Sequence, residues 1–259
     1  MPEGPEILIS SAYLKKSVKG KNFTSITSNT KSIRNLPKKS KVIDVTSYGK
    51  VIIIKTEDYY VHVHFGITGW FVRMKPRIFK YILHFGNSKF YIQDRRRFSS
   101  IKILNEEQHN YEINNLGIDI LSELFTLDKF KILVKSKKKN ICAFLLDQKL
   151  FAGLGNYIKN EVLYLSKISP FRKVNDLSND EISKLYDNIR YVSFSNLVEW
   201  FDEYKIALPS RIKKNLPKKL LVPYEYYVYE RDYDNKGNKV IYNKTHCGRR
   251  TFYVKEVQL

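Results

Sequence analysis

The sequence predicts an α+β chain: an N-terminal antiparallel β-sandwich led by one helix, then a C-terminal helical domain ending in a β-hairpin. Three observations predict it. From Phe23 to about Leu104 the chain reads as β-branched and aromatic runs broken by turn signals. From Leu127 to Tyr204 apolar residues recur at spacings of three and four. From Tyr224 to Leu259 the pattern alternates again, around a turn at Asp234-Asn235-Lys236-Gly237-Asn238.

The chain opens MPEGPE. Proline in a first turn, and acids such as Glu3 and Glu6 near the positive end of the macrodipole, suit a helix start. Ile7, Leu8, Ser11, Leu14 and Val18 then follow helical spacing until Gly20. The strand runs are KVIDVTSYGKVIIIKT, YYVHVHFGITGWFVRM, YILHFGNSKFYIQD and FSSIKIL, with turns at Tyr48-Gly49-Lys50 and Gly86-Asn87. Asn105–Asn115 reads as a linking loop. The helical segments are LDKFKILVKS, NICAFLLDQK, NYIKNEVLYLSKI and SNDEISKLYDNIRYVSFSNLVEWFDEY, the last opened by a Ser178–Glu181 capping box. Lys205–Val222 is basic and punctuated by proline, which predicts a loop. The expected domains are 1–115, 116–222 and 223–259, with no internal repeat.

At 259 residues the chain suffices for one large domain or two small ones. Lys and Arg number 46 against 26 Asp and Glu, a net charge of +20 with a pI near 9.7. That field attracts polyanions and is the electrostatic footprint of a nucleic-acid binder, although a ribosomal or merely basic soluble protein carries it too. Two cysteines, Cys142 and Cys247, make neither a disulfide framework nor a four-thiolate zinc site, and reduced thiols are the expectation. No run reaches the length of a membrane span, so a soluble intracellular protein is expected.

Candidate chemistry sits in few places. In FAGLGNYIKNEVL, Gly153 and Gly155 allow close backbone approach, and Asn156 opens a helix whose first amides suit a phosphate. An ordinary helix–turn–helix pair with a glycine turn shows the same spacing. QDRRRFSS places three arginines before Phe98, which fits a phosphate clamp with an inserted aromatic or a solvated basic loop. His62 and His64 alternate on one strand, with no third ligand at metal spacing, and read as structural. Cys142 lies in an apolar helix and reads as core. Nucleotide-binding glycine fingerprints, nucleophile elbows and HExxH are absent.

Taken in order, PEGPE, YGK, HFGITG, DRRRF and LLDQKLFAGLGNYIKNEVLYLSKISP resemble the motifs of the formamidopyrimidine-DNA glycosylase/endonuclease VIII family. Its members are bifunctional DNA repair enzymes that excise oxidised bases. The likeness spans nearly the whole chain, and the last stretch, similar to the family's helix–two-turn–helix, is the most specific. The resemblance implies that Met1 is removed and that the Pro2 amine attacks C1′ of the damaged nucleotide. It implies Glu3 as proton shuttle, Glu6 as a positioning group and Lys50 as a phosphate ligand assisting sugar ring-opening, followed by β,δ-elimination. Asn156 would hold the phosphates flanking a flipped nucleotide. Arg96 and Phe98 would fill the void, with Ile67 standing where many members carry Met. The implied partner is damaged DNA, duplex or single-stranded, bound by a monomer without cofactor or membrane.

One departure stands out. GRRTFYVKEVQ is similar to the end of the family's zinc finger, yet Val254 and Val257 occupy the second cysteine pair, Lys236 and its neighbours replace the first, and Cys247 is out of register with all four. The hairpin therefore resembles the family's zincless finger, which implies Arg249 as a phosphate-binding arginine and no metal. Val228, Val240, Tyr242, Phe252 and Val254 are the expected apolar supports. The segment ALPSRIKKNLPKKL lacks the longer, glycine-containing loop of purine-type members, implying a preference for oxidised pyrimidines and hydantoins over 8-oxoguanine. A catalytically silent damage binder and an RNA-binding module are the readings of other classes; Pro2, Glu3 and Lys50 argue against both.

Overall fold

The computed structural model describes residues 2–28, 38–217, 224–244 and 247–258. Met1, His246 and the 218–222 end of the expected basic loop lie outside them. The chain forms two compact units, 1–115 and 116–259, so the terminal hairpin shares a unit with the helices.

The first unit starts with α1 (Gly4–Val18), which buries Ile7, Leu14 and Val18 in the core and ends before Gly20 at φ 81°. Eight strands follow: β1 (Asn22–Ser28), β2 (Ser40–Tyr48), β3 (Val51–Thr56), β4 (Tyr60–His64), β5 (Trp70–Val72), β6 (Tyr81–Phe85), β7 (Ser88–Gln93) and β8 (Ser100–Leu104). They form one antiparallel sheet in the order β5-β7-β6-β1-β2-β3-β4-β8. β1 pairs with β6 from Phe23 to Ser28 but with β2 only at Asn22↔Lys41 and Phe23↔Ser40. The sheet therefore folds over at that short junction. Phe23, Phe85 and Phe90 from one half and Ile52, Ile54, Val61 and Val63 from the other meet in a single core, which gives the predicted sandwich. Each such fully buried side chain contributes about 1.5–3 kcal/mol of transfer free energy.

The expected loop over Asn105–Asn115 is instead α2 (Glu106–Asn114). Asn105 Oδ1 accepts the Gln108 N–H at 2.8 Å, and Gln108 Oε1 accepts the Asn105 N–H at 3.0 Å, a capping box without Ser or Thr. The helix buries none of its residues, so it carries no apolar stripe for sequence reading to detect. It packs against edge strand β8.

The second unit runs β9 (Ile118–Asp119), α3 (Leu127–Lys135), α4 (Ile141–Leu145), β10 (Phe151–Ala152), α5 (Asn156–Ser166), α6 (Asn179–Glu203), α7 (Ser210–Lys214), β11 (Ile241–Lys244) and β12 (Arg250–Tyr253). The short β9 and β10 pair in parallel. Phe125, Phe130, Phe144 and Phe151 are buried together, with ring centroids 5.0 Å apart at the closest, Phe144–Phe151. Ser178 and Glu181 make the predicted capping box of α6. α7 corrects the loop expected over Lys205–Val222; with Pro209 as its N-cap, proline there punctuates a helix start rather than excluding one.

α5 is buried along almost its entire length, from Asn156 to Tyr164. Its Glu161, wholly buried, accepts four hydrogen bonds from the chain that leads into the hairpin: Tyr224 Oη at 2.8 Å and the N–H groups of Tyr227, Val228 and Tyr229 at 2.8, 3.0 and 2.7 Å. Burial pushes its carboxyl pKa up, and these four donors pull against that. Asp234 organises the expected turn by accepting from the backbone of Lys236 and Asn238 and from Tyr164 Oη. The hairpin core comprises Tyr164, Val228, Val240, Phe252 and Val254, with Tyr227, Tyr229 and Val257 at its margin. Tyr242, expected inside, is exposed; it is the cross-strand neighbour of Phe252 and covers that ring from outside at 5.6 Å.

Candidate active site and nucleic-acid interface

The chain enters α1 through Pro2, with Glu3 as N-cap in extended backbone. Glu6 Oε2 accepts the Glu3 N–H at 2.8 Å, and the Glu3 side chain returns to the backbone of Glu6, so the two carboxylates close a capping box. PEGPE is thus a helix start built from glutamates. Glu3 is wholly buried and Glu6 nearly so, whereas caps need no burial to function.

Lys50 lies at the β2–β3 turn, where Gly49 takes φ 53° and Tyr48 pairs with Val51. Desolvation and the Lys50 charge lower the pKa of His64, whose Nδ1 accepts the Gly66 N–H at 3.0 Å. His62, on the same face of β4, is buried and reaches His109 of α2, Nε2 to Nδ1, at 2.8 Å. Burial first and the His109 charge second push its pKa down to about 4. Both histidines bond to protein groups, as the structural reading expects.

The structure brings Ile67, Arg96 and Phe98 together on two adjoining loops. Buried Asp94 clasps them: Thr68 Oγ1 donates to it at 2.6 Å, Ser99 N at 2.7 Å and Arg96 N at 3.2 Å. Burial opposes the anion, but these donors outweigh it and hold the Asp94 carboxyl below its usual range. Gly66, at φ 66°, lies so close to Phe98 that a Cβ there would stand 2.6 Å from Phe98 Cβ. Only glycine permits that approach. The Phe98 ring stays 53% exposed, with the Arg96 guanidinium 5.0 Å from its centroid. The loop is thus tightly held while its aromatic residue stays in contact with solvent.

In the second unit Asn156 is the first residue of α5, after N-cap Gly155. Its Nδ2 donates to the Arg250 carbonyl of β12 at 3.0 Å, joining the helix start to the hairpin. Arg249 is exposed in the turn between β11 and β12. Sequence reading missed two side chains here, Lys159 and Glu161, because charged residues on a helix normally mark its solvated face. No local signal marks them: NYIKNEVLYLS carries Asn156, Lys159, Asn160 and Glu161 among its apolar residues, and only the packing of the folded unit buries them.

The zinc positions of the family's finger do not fit a metal here. Val254 is wholly buried in the hairpin core with Val257 at its margin, neither offering a ligand atom. Among the described residues no group of three His, Cys, Asp or Glu could hold an ion.

Residues 1–101 match the family described as the formamidopyrimidine-DNA glycosylase N-terminal domain, and residues 116–197 its H2TH domain. The chain belongs to the formamidopyrimidine-DNA glycosylase family. It is accordingly a DNA glycosylase with abasic-site lyase activity, a base-excision-repair enzyme for oxidised bases whose partner is DNA. It is 30% identical to formamidopyrimidine-DNA glycosylase of Rickettsia africae, across 100% of this chain and 99% of the relative. It is 32% identical to that of Wolbachia pipientis from Culex pipiens, covering 73% of this chain and 76% of the relative. In fold it resembles the MutM (Fpg) protein of Thermus thermophilus, at TM-score 0.81 and 24% identity over 99% and 98% of the two chains. Lactococcus lactis Fpg, solved bound to DNA containing an abasic site, is similar at TM-score 0.78 and 22% identity, over 99% of each chain. No helix among the described residues is long and apolar enough to cross a membrane.

Proposed function

We propose that this family member excises oxidised bases through a Schiff base on Pro2 and then cuts the strand by β,δ-elimination. The observation that carries the reading is Glu3: the residue directly after Pro2 is a wholly buried carboxylate, beyond what helix capping requires. With Met1 removed, Pro2 presents a secondary amine just ahead of the positive end of α1, which favours its neutral, nucleophilic form. The amine attacks C1′, the base departs with a proton delivered from the acid, and the iminium forms. Glu3 moves the protons, Glu6 fixes the first turn around it, and Lys50 binds a phosphate and assists ring-opening.

Asn156 and Arg249 bind backbone phosphate, while Arg96, Phe98 and Ile67 fill the space left by the flipped nucleotide. The enzyme acts inside the cell as a monomer on duplex DNA, with single strands as further substrates, and needs neither cofactor nor metal. The segment from Ala207 to Lys214, with its short α7, supports a preference for oxidised pyrimidines and hydantoins over 8-oxoguanine. The name shared by the similar proteins favours formamidopyrimidines as the alternative. Competition between the two lesion classes in one reaction separates them.

Borohydride reduction with abasic-site DNA is the deciding test. A covalent complex mapping to residue 2 is expected. Undiminished trapping when the terminal amine is blocked by an uncleaved extension would overturn the assignment.

A further inference from the structure

Lys159 is wholly buried, an uncommon state for the most strongly hydrated of cationic side chains. It lies one turn beyond Asn156 on α5, and its Nζ donates to Asn156 Oδ1 at 3.0 Å and to Thr251 Oγ1 of β12 at 2.7 Å, with Cys247 Sγ at 4.0 Å. Thr251, also wholly buried, turns its own hydroxyl toward Cys142 Sγ at 4.0 Å, leaving its oxygen as the acceptor for Lys159. Asn156 is therefore gripped at both ends of its amide. On one end is an amine that donates, on the other the Arg250 carbonyl, which only accepts.

An isolated asparagine amide can turn over, exchanging its oxygen for its nitrogen at little cost. Here turning over would set Nδ2 against the Lys159 amine and Oδ1 against the Arg250 carbonyl, donor to donor and acceptor to acceptor. We infer that Lys159 is a positioning residue for DNA binding, locking the Asn156 amide so that the second Nδ2 hydrogen, not the oxygen, is offered to a backbone phosphate. The inference rests on the phosphate-binding reading of Asn156 and deepens it. A phosphate oxygen accepts only, so a turned-over amide repels it.

The test is a double-mutant cycle on the full chain, read as affinity for duplex DNA carrying a stable tetrahydrofuran abasic analogue. Lys159→Met keeps an unbranched buried chain and deletes the donor. Lys159→Met and Asn156→Ala are each expected to weaken binding by about tenfold or more. The double variant is expected to bind no worse than Asn156→Ala alone, because Lys159 acts through Asn156. At saturating DNA, borohydride trapping on Pro2 should proceed at the wild-type rate in Lys159→Met, a loss in KM and not in kcat. Losses that multiply in the double variant, or an equal fall in trapping at saturation, would show a merely structural lysine and overturn the inference. Asn156→Ala binding like wild type would instead overturn the phosphate reading beneath it. Thr251→Val, which removes a second acceptor of Lys159 while keeping its amine, repeats the cycle if Lys159→Met melts too low to assay. It is expected to give a smaller loss that likewise vanishes in the Asn156→Ala background, and persistence there counts against the inference.

Discussion

At Glu3 two demands meet on one carboxylate. As N-cap it serves the backbone of α1; in the proposed reaction the same wholly buried acid, next to Pro2 in sequence, moves the protons. Glu3→Gln keeps the size and the capping oxygen but cannot exchange a proton. Base excision is expected to fall by about 10² to 10⁴ in rate with little change in DNA affinity, measured as single-turnover cleavage beside a binding isotherm; equal losses in both would make Glu3 structural. His62 offers a second test. Its pKa, lowered from 6.5 to about 4, means that the unfolded chain binds the proton more readily. The stability associated with a neutral His62 is therefore full above about pH 6.5 and drains as pH falls toward 4, by up to about 3 kcal/mol. Melting temperatures of wild type and His62→Gln should converge across that window on acidification, and parallel curves would refute the assignment.

At the scale of elements, Glu161 joins α5 to the segment that enters the hairpin. Its two oxygens each accept twice, and all four donors come from Tyr224 to Tyr229. Glu161→Gln must present an amide NH₂ to one pair of those donors. A loss of about 2–4 kcal/mol is expected, visible as a lower melting temperature; an unchanged melting temperature would mean the segment is held by its tyrosines alone. Elements rich in apolar residues, such as α1, α5 and the strands of the sandwich, were legible in the sequence. α2 was not, since it buries nothing and is started by Asn105 and Gln108. α7 was hidden because Pro209 reads as a breaker although it serves as an N-cap. Of the candidate site, the motif residues were legible through family resemblance; Asp94, Lys159 and Glu161 were not. Each is a charged group with at least one partner remote in sequence, Thr68 for Asp94, Thr251 for Lys159 and Tyr224 to Tyr229 for Glu161, which no local pattern encodes.

For the whole molecule, the charge of +20 states the class of partner without stating where it binds. Metal is the sharper question at this scale. A structural zinc site needs four thiolate or imidazole ligands and can supply on the order of 10 kcal/mol of folding free energy. Here the hairpin is packed around Tyr164, Val228, Val240, Phe252 and Val254. Purified protein is expected to hold no stoichiometric zinc and to keep its activity through prolonged chelation, checked by elemental analysis and a cleavage assay. One tightly held equivalent, or inactivation by chelator, would refute this. Arg249→Ala should lower activity sharply, as the phosphate-binding reading requires, at a nearly unchanged melting temperature, because the arginine is exposed in a turn.

The strand order of the first unit also sets the pace at which the enzyme is made. β1 must wait for β6, and β4 for β8, before the sandwich can close. The second unit has local helical contacts, with its own long-range clasp at Glu161. Sheets built from such distant pairings close slowly, while local helices form early. During synthesis the β unit emerges first, yet no closed sandwich exists until the ribosome has passed Leu104. Until then its apolar strands are open edges, the state in which chains most readily associate with one another. Laying the exposed, polar α2 against β8 immediately after that point shields the last edge as soon as it forms. The helix that sequence reading took for a linker thus lies against the edge strand that completes the sheet.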